Sequence, residues 1–150
     1  MLKTSVKNKL EQLKLKGFLR TAETSLNQMI EQGTSFVDML DFCLDAEIND
    51  RSNRRIERLF SSAKFRYPTA RLEHIDYAIE RKIKKANINH YASCEWINDC
   101  RGLIISGATG VGKSWLACAF GAEACHRGHS VMYFNAIQLF DEISSGIALG

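Results

Sequence analysis

The chain has 150 residues, 45% of them hydrophobic and 25% charged, which is the balance of a folded globular protein and excludes a disordered tail or a fibre. The net charge of +3 names no partner by itself. No apolar run reaches the roughly 18 residues of a membrane span, and Met1 to Lys7 lack the hydrophobic core of a secretory signal, so a cytoplasmic protein without membrane contact is expected. Charge is distributed in blocks: residues 1–20, 21–50, 51–85 and 86–150 sum to +5, −7, +7 and −2. The two basic blocks are where phosphate-backbone contacts would be sought.

From Lys7 to Met29, the apolar residues Leu10, Leu13, Phe18, Ala22, Leu26 and Met29 recur near the helical period, with Gly17 as a point of bending. Gly33-Thr34-Ser35 offers a turn and an N-cap. The helix it introduces, Phe36 to Ile48, groups Phe36, Met39, Leu40, Cys43, Leu44 and Ile48 apart from Asp38, Asp41, Asp45 and Glu47. Residues 49–66 follow with Arg51, Arg54, Arg55 and Arg58 at helical neighbour spacing. These four are the candidate DNA-binding residues, with Lys64, Arg66 and the aromatics Phe60, Phe65 and Tyr67 nearby; the alternative is an exposed helix whose arginines pair with the acidic block. Pro68 is expected to end this helix, and a shorter one is expected over Leu72–Ala86. Trp96 reads as a packing residue rather than a stacking platform.

After about residue 88 the pattern changes. Gly102-Leu103-Ile104-Ile105-Ser106 reads as a buried strand, Trp115–Cys125 as a helix of small residues stopped at Gly128, Ser130–Phe134 as a second strand, and Asn135 as the cap of a helix from Ala136 to Ser144. The order predicts an α/β fold: a helical N-terminal domain, 1–87, followed over 88–150 by the first βαβα part of a parallel-sheet core. The five cysteines form no Cys-x-x-Cys pair and read as reduced thiols. Cys125, His126, His129 and His90 match no zinc spacing.

Between the first expected strand and the helix after it lies Gly107-Ala108-Thr109-Gly110-Val111-Gly112-Lys113-Ser114, a complete G-x-x-x-x-G-K-[ST] pattern. Its glycines permit backbone angles that turn successive amides toward phosphate oxygens, and the following helix adds the positive end of its dipole. Lys113 would reach the β- and γ-phosphates, and the Ser114 hydroxyl would ligate a nucleotide-bound Mg²⁺. All eight residues are therefore candidate nucleotide ligands, with ATP and Mg²⁺ as cofactors. Asp141-Glu142 could imitate the acidic strand end that hydrolysis requires, but the pair falls within an expected helix and reads as a solvated face.

Leu44-Asp45-Ala46-Glu47, Asn53-Arg54-Arg55, Leu72-Glu73-His74-Ile75-Asp76, Cys94-Glu95-Trp96-Ile97 and the loop followed by Trp115-Leu116-Ala117-Cys118-Ala119 resemble, in this order, the IstB-like ATP-binding proteins. These are transposition helpers of insertion sequences, similar to the helicase loader DnaC and within the AAA+ group of ATPases. The resemblance implies an AAA+ parallel-sheet core, contact with DNA and with a transposase or helicase through the N-terminal helices, and homo-oligomers in full-length members. Ala108 stands where the family often has proline. The resemblance also implies a second acidic motif, a sensor and an arginine finger in further strands, none of which occurs within these 150 residues, so impaired hydrolysis is expected. The readings left open are an ATP-binding helper of transposition and a non-enzymatic interaction module with a remnant core. A small kinase fits poorly with the long Arg-rich helical start.

Overall fold

The computed structural model describes residues 2–77 and 83–148, and for 147 and 148 the backbone only. Among the described residues seven α-helices follow one another: α1 (Thr4–Gln12), α2 (Lys16–Glu31), α3 (Phe36–Ala63), α4 (Lys85–Ala92), α5 (Glu95–Asn98), α6 (Lys113–His126) and α7 (Ala136–Ala148). A 3-10 turn, Leu72–His74, lies between α3 and α4. The chain divides into two compact units, Met1–Arg55 and Ile56–Gly150. The functional division expected at residue 87 falls inside the second.

In the first unit, α1 packs on α2 with Leu10 and Ala22 buried. The break between them is set by Lys14, in the left-handed region at φ 58°, three residues before the glycine expected to bend the run. Gly17 is instead buried in the first turn of α2, where a Cβ would lie 2.7 Å from the Ala46 carbonyl oxygen and 2.9 Å from Glu47 Cα on α3. Only a glycine lets the two helices approach this closely. At the other end of α2, Gly33 (φ 72°) closes the helix with its N–H donating to the Ile30 carbonyl and that of Thr34 to the Met29 carbonyl. Ser35 then caps α3: its Oγ accepts from the Asp38 N–H at 3.2 Å and donates to the Asp38 carboxylate at 2.6 Å. The two segments read around residue 48 form one helix of 28 residues, stopped by Lys64 at φ 51° rather than by Pro68.

The second unit is built around α6. Ala70, Cys118 and Ala119 form its buried centre, with Phe65, Leu72, Trp115 and Tyr133 packed against them. Small residues along α6 allow this: a Cβ at Gly121 would stand 2.6 Å from the Phe65 ring. The last turn of α3 belongs here, with Phe60 edge-on to Phe65 and to His126 and capped by the Arg71 guanidinium 4.8 Å from its ring centre. Gly128 (φ 86°) ends α6 as expected, with the Gly128 and His129 N–H groups bonding back to the Cys125 and Ala124 carbonyls. Asn135 caps α7 by accepting the Gln138 N–H at 2.8 Å. The Trp96 indole N–H donates to the Tyr91 carbonyl. Cys43, Cys94, Cys118 and Cys125 are buried free thiols, and Cys100 is exposed. Burial pushes the Cys43, Cys94 and Cys125 thiols up from their ordinary range.

The α/β expectation is overturned. Among the described residues there is no strand and no sheet, so neither the βαβα unit nor the parallel-sheet core is present. Gly102–Ser106 and Ser130–Phe134 are non-helical and unpaired. The Tyr133 N–H donates to the carbonyl of Ala63 in α3 rather than to a neighbouring strand, and Ile104, expected to be buried, is 92% exposed. An apolar run of five residues reports affinity for an interior, but a parallel strand exists only when a second strand completes its ladder and both faces are covered. The expected helix over Leu72–Ala86 is likewise reduced, among described residues, to the 3-10 turn and the start of α4; residues 78–82 lie outside the described residues.

Candidate nucleotide-phosphate site

Gly107–Gly112 forms the loop that enters α6, and Lys113 is the first residue of that helix. Three of its glycines hold angles that a side chain resists, with φ 154° at Gly107, 83° at Gly110 and 95° at Gly112, the last serving as N-cap. No side chain caps α6, so its first N–H groups and dipole face the loop without an internal anion. The Lys113 ammonium donates to the Gly107 carbonyl at 3.0 Å and to the Ala108 carbonyl at 2.6 Å. These are neutral, exposed acceptors, which phosphate oxygens of higher charge can outcompete.

A cleft of about 590 Å³ opens beside the loop. Gly107, Ala108, Val111, Gly112 and Lys113 line it on one side, and His74, Ile75, Asp76 and Ile83 contribute another wall. Thr109, Gly110 and Ser114 are exposed and stand outside that lining. Ser114 occupies the first turn of α6, beside Lys113, where a nucleotide-bound Mg²⁺ would be met. The donor set of glycine amides, one ammonium and one hydroxyl fits a polyphosphate and its cation. The wall residues His74, Ile75, Asp76 and Ile83 lie outside the glycine-loop motif, and the stretch Leu72–Asp76 is the sequence signal that points to three of them.

Asp141 and Glu142 are exposed on α7 and outside this cleft, as the solvated-face reading requires.

The arginine block has a different character. Arg51 Nε lies 2.6 Å from Glu47 Oε1, and Arg54 Nη2 lies 2.6 Å from Asp50 Oδ2 and 3.7 Å from Glu47. Arg20 of α2 approaches the other Asp50 oxygen at 2.8 Å. Glu47 is only 4% exposed, not on the solvated acidic face where the sequence pattern put it. Its second oxygen accepts the Gly17 N–H at 2.7 Å and the Phe18 N–H at 3.2 Å, which caps α2 from α3. Burial pushes the Glu47 carboxyl up, but the Arg51 side chain and the two backbone N–H groups outweigh it and hold the group below its ordinary value. Asp50 is treated the same way by its desolvation and by Arg20 and Arg54. Arg55 and Arg58 are exposed.

The family described as IstB-like ATP binding protein matches residues 8–148. An insertion-sequence protein of Pseudomonas fluorescens, named for IS1162 and for ATP binding, is 36% identical over 136 residues, covering 91% of this chain and 59% of its own length. The insertion-sequence protein y4uH of Sinorhizobium fredii, also named for ATP binding, is 32% identical over 154 residues, covering all of this chain and 60% of its own. Rv3427c of Mycobacterium tuberculosis, named as an ATP-binding protein in an insertion sequence, is 26% identical over 96% of the chain. The chain thus spans about 60% of the first two of these relatives. No described helix is long and apolar enough to cross a membrane. On the family match and on these identities, the chain belongs to the IstB-like ATP binding proteins.

Proposed function

We propose that this chain binds ATP through Gly107–Ser114 as a helper of insertion-sequence transposition. The observation that carries the reading is the Lys113 ammonium, held at the start of α6 by two carbonyls of its own glycine loop. On binding, the amides of the loop and the N-terminus of α6 take the phosphate oxygens, and Lys113 exchanges neutral carbonyl partners for anionic ones. Mg²⁺, when bound with the nucleotide, neutralises phosphate charge, with the Ser114 hydroxyl as its protein ligand. The insertion-sequence names of the relatives support the transposition context.

Within this reading the N-terminal helices contact DNA and a transposase or helicase, and the arginine block Arg51, Arg54, Arg55 and Arg58 of α3 supplies phosphate contacts. Hydrolysis by the chain alone is slow within this reading, with Asp141 and Glu142 outside the lining of the cleft beside the loop. The test is titration with a fluorescent ATP analogue and Mg²⁺, comparing the native chain with Lys113→Ala. Saturable binding lost in the variant is the expected result. Equal binding by both, or by neither, would refute the loop as the site.

A further inference from the structure

Helix α3 is buried on the wrong side for its hydrophobic pattern. Cys43 and Glu47 are its most enclosed residues before the helix reaches Asp50, and Met39, Ala46 and Asp50 flank them half-buried. At 100° per residue these five occupy one continuous face, from about 280° through 0° to 20° with Phe36 set to zero. Val37, Leu40, Leu44 and Ile48 lie on an adjoining stripe from about 40° to 120°. They remain exposed, Val37 and Ile48 by 71 and 64% and Leu44 and Leu40 by 44 and 39%. The run Val37, Leu40, Leu44, Ile48 advances by three, four and four residues, the spacing of a seam between two helices. Single exposed apolar residues are ordinary, but four in one helical stripe are not.

The edge of the stripe is acidic. Asp41 and Asp45, both exposed, follow it at about 140° and 180°. A second copy of this face laid against the first would bring like charges together at the rim, and nucleic acid would meet both repulsion and an apolar surface. We infer that the Val37–Ile48 stripe of α3 is the docking surface for a helical segment of another protein, apolar along one side and flanked by lysine or arginine. The inference gives a surface to the protein partner contact proposed above, and it does not depend on nucleotide binding.

The test uses the full chain and a designed helical peptide of roughly 18 residues with leucine at the seam positions and lysine elsewhere. Its controls are a peptide of the same composition with the pattern scrambled and a leucine–glutamate counterpart, all read by fluorescence anisotropy at moderate salt. The patterned leucine–lysine peptide should bind, and both controls should bind at least about tenfold more weakly. The double variant Val37→Ala/Leu44→Ala, which leaves every charge in place, should weaken the patterned peptide by about tenfold or more while keeping the native helical circular dichroism. Equal binding of scrambled and patterned peptides, or no effect of the double variant, would overturn the proposal. So would concentration-dependent self-association of the native chain abolished by Leu44→Lys, since the stripe would then belong to a second copy. Loss of ATP-analogue binding in Lys113→Ala would be unaffected by any of these results.

Discussion

Glu47 and Lys113 each use an ionised group at the beginning of a helix, and they use it oppositely. Glu47 reaches from α3 to the first turn of α2, where two N–H groups and an arginine consume its oxygens in a buried setting. Lys113 begins α6 and donates only to exposed carbonyls of the loop that precedes it. A charge whose partners are buried and complementary holds structure together, because removing it strands those partners without water. A charge resting on neutral acceptors beside an open cleft can change partners at little cost, which is the condition for binding a ligand.

The comparison breaks most visibly at Glu47. Glu47→Ala leaves the Gly17 and Phe18 N–H groups and the Arg51 guanidinium without their shared acceptor, and should cost about 2–3 kcal/mol of stability in chemical denaturation. A loss below about 0.5 kcal/mol would show that the cap is dispensable. In the second unit the corresponding constraint is steric. Gly121→Val places carbon atoms against the Phe65 ring and should cost about 1–3 kcal/mol by the same measurement, while leaving the cap on α2 intact. An unaffected variant would mean that Phe65 does not pack against α6 in solution.

A smaller effect sharpens the electrostatic half of the comparison. The folded-state values of Glu47 and Asp50 lie below those of the unfolded chain, so between the two the unfolded state binds more protons and stability rises with pH. The contribution is complete above the ordinary carboxylate range near pH 4 and is lost as pH falls through the depressed values. Glu47→Gln should therefore flatten the acid limb of a stability–pH profile. A limb as steep as the native one would assign acid sensitivity to other groups.

Local signals in the sequence were legible where the chemistry is local. Ser35, Asn135, Gly33 and Gly128 all perform the capping or turning roles that their residue types predict, because each acts on backbone within a few residues of itself. The backbone of the glycine loop before α6 was legible for the same reason: Gly107, Gly110 and Gly112 hold the positive φ angles that their spacing invites. What depends on distant partners was not. Gly102–Ser106 and Ser130–Phe134 carry an apolar pattern compatible with strands, but no local residue reports whether a ladder exists. Glu47 acts on Gly17 across thirty positions, and its helical periodicity alone placed it among solvated acids. The break at Lys14 escaped because a lysine in the left-handed region leaves no compositional mark.

The division of charge between structure and ligand is tested most directly by one paired measurement on Lys113→Ala: a denaturation midpoint and a titration with the fluorescent ATP analogue and Mg²⁺, on the same preparation. Stability within about 0.5 kcal/mol of the native chain, together with a fall in affinity of about tenfold or more, is the predicted result. A variant that binds normally, or that loses stability as Glu47→Ala does, would contradict it, since Lys113 would then be holding the loop rather than waiting for phosphate.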